Sequence, residues 1–552
     1  MTGFSRHHSP RSIAVSAAAG VALACLLAAS SAARLPLPDL GRGASQLPVA
    51  PLVVALPALA AGAEQLTPLL ARLGLALPEL DPSQLMIELR VRFGLDPFDR
   101  TSLSAAGIDP TGDAAVVDGG TLQQPVLLLR LLTDGGNRFE TVAIARAVGR
   151  EQLVALPARR ARGVELHAWA AASDKTARIV CAVDGDRLAF APNGCASGVD
   201  CVVDALRPQR LLLQDRTTQD VLAGLPPAAL FAVVRRDGLR ALPLLGARTT
   251  AERTEIAALA LGVERDQARL IAHLLPTAAG RQQLAGYPPL AGRARQRVTR
   301  RGALSLWFGV DPRSTAPCAL SLPYLTPLRA LLAAGGLDLD RELRATADGG
   351  AALHVLDLEP QLPGLDEQPA IDAASGAFFV EHALEVPLRD SARGERTVSA
   401  LDRVLGSRPG LLQLPRAASP TAVHRYSENG RVVDYALVDG ALLAASGPGT
   451  LDQLNADLGT AETVAADTFL ALRGDAALAK ALLGRVGLFG AGDNRALRAL
   501  WAARQVAAPL LGRLGALRFD LRRAGSVVVA ETQLELRGQV APRRSGAEPV
   551  PP

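Results

Sequence analysis

Lysine is almost missing from this sequence: Lys175 and Lys480 are the only two, so the basic side of its formal charge of +5 is nearly all arginine. Aromatic residues make up 3% of the 552 positions. With so few rings and so little net charge there is no basic stripe interleaved with aromatics, which excludes nucleic acid as an expected partner. The arginine and alanine richness reads as coding bias. Chemical motifs are scarce as well. Neither Gly194-Cys195-Ala196-Ser197-Gly198 nor Ala445-Ser446-Gly447-Pro448-Gly449 supplies the G-x-S-x-G elbow of a serine hydrolase. No HExxH helix, Walker loop or dinucleotide fingerprint occurs. Glu381-His382 stands in a strand-like run where alternate residues point to opposite faces, so His382 reads as a half-exposed strand residue.

What carries polar chemistry is dispersed. Asp338, Asp340 and Glu342 alternate at a helix start, where carboxylates favour the positive end of the dipole, and no twelve-residue calcium loop surrounds them. His167 and His273 fall on strands of one lobe and could converge, although no spacing says so, while His354 and His424 stand apart. The Gly447-Pro448-Gly449 run reads as a turn before a helix capped by Thr450. Neither cofactor nor metal is expected, and no residue is assigned a catalytic role.

Ordered features begin at the N-terminus. Arg6 and Arg11 precede an uncharged stretch from Ser12 to Ala33 that ends in Ser31-Ala32-Ala33, the layout of a Sec-type signal. Residues 1–33 are therefore expected to be a signal peptide or an N-terminal anchor, with cleavage, retention and lipidation at Cys25 as the alternatives. Any membrane contact is expected through this segment alone. After it, no run is long enough and free enough of proline to span a bilayer; Val49 to Ala61, the richest, is broken by Pro51 and Pro57. Composition at 49% hydrophobic and 20% charged is globular, and the length points to two domains. Cys181, Cys195, Cys201 and Cys318 remain beyond the signal; in an exported chain Cys195 and Cys201, bracketing a short loop, are disulfide candidates.

The same blocks recur in the same order along the chain. Gly94-Leu95-Asp96 followed by Gly112-Asp113-Ala114-Ala115 returns as Gly336-Leu337-Asp338 followed by Gly349-Gly350-Ala351-Ala352. A strand ending at Asp134 leads to Thr141-Val142-Ala143, and one ending at Asp390 leads to Thr397-Val398-Ser399, both 256 positions on. Asp184-Gly185 and Asp439-Gly440, 255 apart, each predict a type I′ hairpin turn. Indels confined to loops are what tandem duplication predicts. The expected fold is α+β: two similar lobes from a tandem duplication, 34–298 and 299–537, each a largely antiparallel sheet with covering helices, and a disordered tail at 538–552. The arginines at 293, 295, 297, 300 and 301 read as a solvated linker between the lobes.

The Gly336–Leu339 helix entry, the Gly-Ala-Ala strand and the Val-Asp-Gly hairpin together resemble those of uncharacterised bacterial exported proteins with a repeated α+β unit. That resemblance implies an envelope address and a repeated fold, and no catalytic residues. The expected function is a non-catalytic binding or structural module of the bacterial envelope, engaging a protein, peptide or envelope component through the cleft between its lobes. The alternatives are a carrier of a lipid or other apolar ligand and an enzyme of unrecognised mechanism.

Overall fold

A computed structural model describes residues 37–41, 43–76, 89–118, 125–173, 176–195, 198–241, 251–285, 287–298, 304–311, 338–358, 371–372, 377–378, 380–407, 412–413, 423–428, 431–446, 462–484 and 514–536, with 333, 336, 451, 454, 511 and 512 singly. The expected signal segment with Cys25, the tail, Cys318 and the turn at 447–450 lie outside the described residues.

Alternating apolar residues build the strands, as in Leu52–Leu56 and Ala441–Ser446, whose burial alternates residue by residue. The first half of the chain runs β1 (Leu52–Leu56), α1 (Leu59–Ala76), α2 (Arg100–Ala105), β2 (Ala114–Asp118), β3 (Val126–Arg130), then three abutting helical stretches over Gly135–Phe139, Glu140–Ile144 and Ala145–Glu151, together α3. It continues with β4 (Leu153–Ala155), β5 (Arg159–Ala161), β6 (Val164–Ala171), β7 (Ala177–Asp184), β8 (Arg187–Ala191), α4 (Cys201–Leu206), α5 (Arg216–Leu222), β9 (Leu230–Arg235), α6 (Arg236–Ala241), β10 (Thr254–Glu264), β11 (Gln267–Pro276) and α7 (Ala278–Leu284). The second half follows as β12 (Leu304–Gly309), α8 (Leu339–Thr346), β13 (Gly350–Leu358), β14 (Ile371–Asp372), β15 (Ala377–Phe378), β16 (Val380–Pro387), α9 (Ser391–Gly406), β17 (Leu412–Gln413) and β18 (His424–Glu428). It closes with β19 (Arg431–Val438), β20 (Ala441–Ser446), β21 (Thr468–Asp475), α10 (Ala476–Gly484), β22 (Leu514–Ala524) and β23 (Val527–Leu536).

These strands form a mostly antiparallel open sheet in a mixed α/β chain. Strands β4 and β5 share one flank of β6, and the ladder runs β6–β7–β8–β3–β2–β1–β9–β10–β11. It crosses to β23 and continues β22–β21–β12–β13–β16–β20–β19–β18–β17. Strands β14 and β15 pair apart from it. The β11–β23 ladder, from Gln267↔Glu535 to Leu274↔Val528, therefore joins the two halves edge to edge, where a cleft between separate lobes had been expected. Counted outward from that seam, β10 and β22, β9 and β21, β1 and β12, β2 and β13, β3 and β16, β8 and β20, and β7 and β19 hold equal ranks.

Bulges interrupt several ladders, but one central row of paired residues crosses both halves. One row on a single face reads Ala189–Leu128–Ala115–Ala55–Phe231–Ala260–Ile271 in the first half and Glu531–Asp520–Ala471–Trp307–Ala352–Glu385–Leu443 in the second. In the first half that face packs under Leu40, Ala44, Val202, Leu206, Val221 and Leu222, giving the largest core. In the second half it packs under Leu290, Ala294, Val298 and Val464. The arginine-rich segment is thus no solvated linker throughout: Leu290, Ala294 and Val298 are buried, and Arg295 Nε donates to the Val464 carbonyl at 2.8 Å.

Both expected hairpins form, with their turns one residue out of step. In β19–β20 the turn is Asp439–Gly440, at φ 47° and 72°, as type I′ requires. In β7–β8 Asp184 still pairs with Arg187, so Gly185, at φ 62°, and Asp186 make the turn. The hairpins are therefore 254 positions apart, and the 255 offset read from the sequence is corrected by one.

Candidate functional site

The first half's inner face is apolar where the second half's is ionic. Val53, Val117, Leu128, Val233, Ala258 and Ala260 hold the same ranks from the seam, and the same number of steps along their strands from the central row, as Ser305, His354, Glu385, Arg473, Arg518 and Asp520 in the second half. All six of the former belong to one hydrophobic cluster. Except for the half-exposed Arg518, the polar set is buried too, with Ser305 1%, His354 0%, Glu385 0% and Arg473 2% exposed, so these groups must find partners inside.

They do so in two linked chains. Strand pairing sets Ser305 on β12 opposite His354 on β13, and their Oγ and Nδ1 lie 2.8 Å apart. His354 Nε2 lies 3.0 Å from Glu385 Oε2 on β16, and Arg297 Nε donates to Glu385 Oε1 at 2.5 Å. Because the carboxylate accepts from Nε2–H, Nδ1 is left to accept from the Ser305 hydroxyl. Trp307, next on the same face of β12, stands edge-on to His354 at 5.8 Å. The second chain begins one strand over: Arg473, paired with Ser305 across β21–β12, donates through Nε to Glu462 at 2.7 Å and lies 2.8 Å from Asp520. Arg518 bridges the same two carboxylates at 3.3 and 3.1 Å. Burial pulls the Arg473 guanidinium below its ordinary range, against the raising effect of Asp520.

Serine, histidine and glutamate in this order are the parts of a nucleophile relay. Their burial decides what the arrangement can do: a substrate carbonyl must come within about 3 Å of the nucleophile, and Ser305 is 1% exposed. Trp307 packs beside it with Leu290, Ala294 and Val298, and Ser305, His354 and Glu385 are paired with one another and with Arg297.

The other sequence candidates fall elsewhere. His167 lies on β6 and His273 on β11, with seven strands between them in the ladder, so they do not converge. His167 is half-exposed near Glu140, with Nδ1 3.4 Å from the carboxylate. His273 is buried, 3.0 Å from the Val221 carbonyl, and burial lowers it to about 4. His382 is half-buried, its Nδ1 2.9 Å from Ser446 Oγ. His424 stacks on Tyr435, and its Nδ1 lies 2.8 Å from Asp402 of α9, which also accepts from Tyr435 at 2.5 Å. Asp338 Oδ1 accepts from the Arg341 amide at 3.1 Å, the helix-start role expected of it. Asp184 receives Arg207 through two bonds of 2.7 and 2.9 Å, which lower its carboxyl. Cys195 and Cys201 lie at disulfide distance, their Cα atoms 6.2 Å apart, and Cys181 is a buried free thiol that burial pushes up to about 12. Among the described residues no cluster of three or more metal-ligating side chains forms, and no helix is long and apolar enough to cross a membrane. An open groove of about 370 Å³ between α8 and α9 is lined by Glu342, Arg393, Arg396, Thr397 and Ala400.

No family model matches the chain, and no curated protein does. Three crystal structures of TP0453 are similar to it at 10% identity. Form I has a TM-score of 0.23 over 44% of this chain and 80% of that one, form IV 0.25 over 44% and 81%, and form III 0.24 over 45% and 81%. At such scores the likeness carries no argument, and the residues carry the rest.

Proposed function

We propose that this chain is an exported protein of the bacterial envelope that works as a non-catalytic binding module, made of two tandem copies of one half-sheet fused at β11–β23. Export is supported by the basic, apolar and small-residue order of residues 1–33. Duplication is supported by the equal ranks of the strands about the seam and by a compensating exchange of volume. Phe231 beside Ala55 in one half answers to Ala471 beside Trp307 in the other, a large and a small residue traded across one row. The 3₁₀ turn at Ala44–Gln46 and the one at Ala294–Gln296 precede the first strand of each half in the same way, which supports a junction near residue 286.

The observation that carries the non-catalytic reading is the sealing of Ser305, His354 and Glu385, the set that otherwise has the composition of an active site. Two measurements test it. Residues 1–40 fused to a reporter that works only outside the cytoplasm should give signal, and the mature protein should leave a fluorophosphonate probe unreacted. A cytoplasmic product would sink the export claim. Labelling of Ser305 that disappears in His354→Ala would sink the non-catalytic one.

A further inference from the structure

Helix α9 carries charge where its own electrostatics disfavour it. Asp390 caps the helix, its carboxylate accepting from the amides of Ala392 and Arg393, and the first turn holds no acidic side chain. Arg393 and Arg396 then stand in the first two turns, near the positive end of a 16-residue helix, where cations are destabilising. They are also three residues apart, on one face, where like charges repel. Both line the groove against α8, and Glu342 is the one carboxylate among its described lining residues, 3.7 Å from Arg393.

Nothing in the repeated fold requires these two arginines. At the offset of 256 that matches Asp134 to Asp390 and Thr141 to Thr397, Arg393 answers to Asn137 and Arg396 to Glu140. At that offset the exposed Glu140 of the first half stands where the groove has Arg396. Two guanidinium forks lining a concave, solvent-open site of about 370 Å³ suit one chemical group above others, because each fork can hold two oxygens of a tetrahedral anion.

We infer that the groove between α8 and α9 binds a phosphate group, with Arg393 and Arg396 holding its oxygens and Thr397 at the rim. The inference rests on the binding reading above and gives it a ligand class. A soluble phosphate ester and a phospholipid headgroup present the same group, and the test separates them. The mature full-length protein is titrated calorimetrically with inorganic phosphate and with glycerol phosphate, and its flotation with phosphatidylglycerol vesicles is compared with that on phosphatidylcholine vesicles. Saturable phosphate binding should weaken at least about tenfold in R393Q/R396Q, with thermal unfolding no lower than in wild type, and should tighten in Glu342→Gln, which removes the competing carboxylate. Flotation lost in the double variant assigns the lipid source; phosphate binding without flotation assigns the soluble one. Absence of saturable phosphate binding, or equal affinity in wild type and double variant, overturns the site. That result would leave the export and probe measurements untouched.

Discussion

Glu385 holds the buried relay together, because it receives both Arg297 and His354 while lying fully inside the sheet face. Replacing it alone by leucine strands two donors, and urea unfolding should show a loss of about 3–5 kcal/mol. The first half shows the alternative solution, with Val53, Val117 and Leu128 at the equal ranks and Leu47 following its 3₁₀ turn as Arg297 follows the second. The fourfold change R297L/S305V/H354V/E385L should therefore recover most of that loss and end within roughly 1–2 kcal/mol of wild type, since a well-packed apolar set can replace a buried ionic one. Equal destabilisation by the single and fourfold variants would contradict this. His273 sets a pH dependence. Its folded-state value, lowered by burial to about 4, lies below the ordinary 6.5, so the unfolded chain takes up the proton first as pH falls. Stability should be fully present above pH 6.5 and decline toward pH 4 by on the order of 3 kcal/mol, and His273→Asn should remove that part of the slope. Neither histidine's role was legible from sequence. Ser305 and Glu385 stand 49 and 31 positions from His354, and only strand register makes them neighbours.

At the scale of elements the sequence was more informative, because turns depend on local residues. Asp439–Gly440 forms the expected turn, while Val183-Asp184-Gly185-Asp186 offers both an Asp-Gly and a Gly-Asp pair, and the chain takes the second. That one-residue slip matters, since it exchanges the faces of every residue in the pairing. With the offset at 254, Ala182 and Ala436 fall on the same face, in one row with Ala189 and Leu443. The loop between Cys195 and Cys201 was legible for the same local reason. Non-reducing peptide mapping of periplasmic material should find Cys195 joined to Cys201, and Cys181 should resist alkylation until the protein is unfolded. Free alkylation of both loop cysteines would contradict the pairing.

At the scale of the molecule, recurring blocks pointed to a repeat, which remains our proposal, and the way the two halves meet was not legible. Strands β11 and β23 read as ordinary closing strands of their halves, and nothing in an apolar alternation says which edge partner a strand will find. The arginines between the halves misled for a related reason: their charge masked Leu290, Ala294 and Val298, which belong to the core of the second half. The central claim is that two copies of one half-sheet are fused through β11–β23. It is tested most directly by producing residues 34–286 and 287–537 as separate chains, determining the structure of each, and weighing their mixture. The account predicts that each folds, that they superpose with Ala55 on Trp307 and Leu128 on Glu385, and that they associate one to one through the β11 and β23 edges. Halves that fold with unrelated strand orders, or that superpose yet stay apart when mixed, would contradict it.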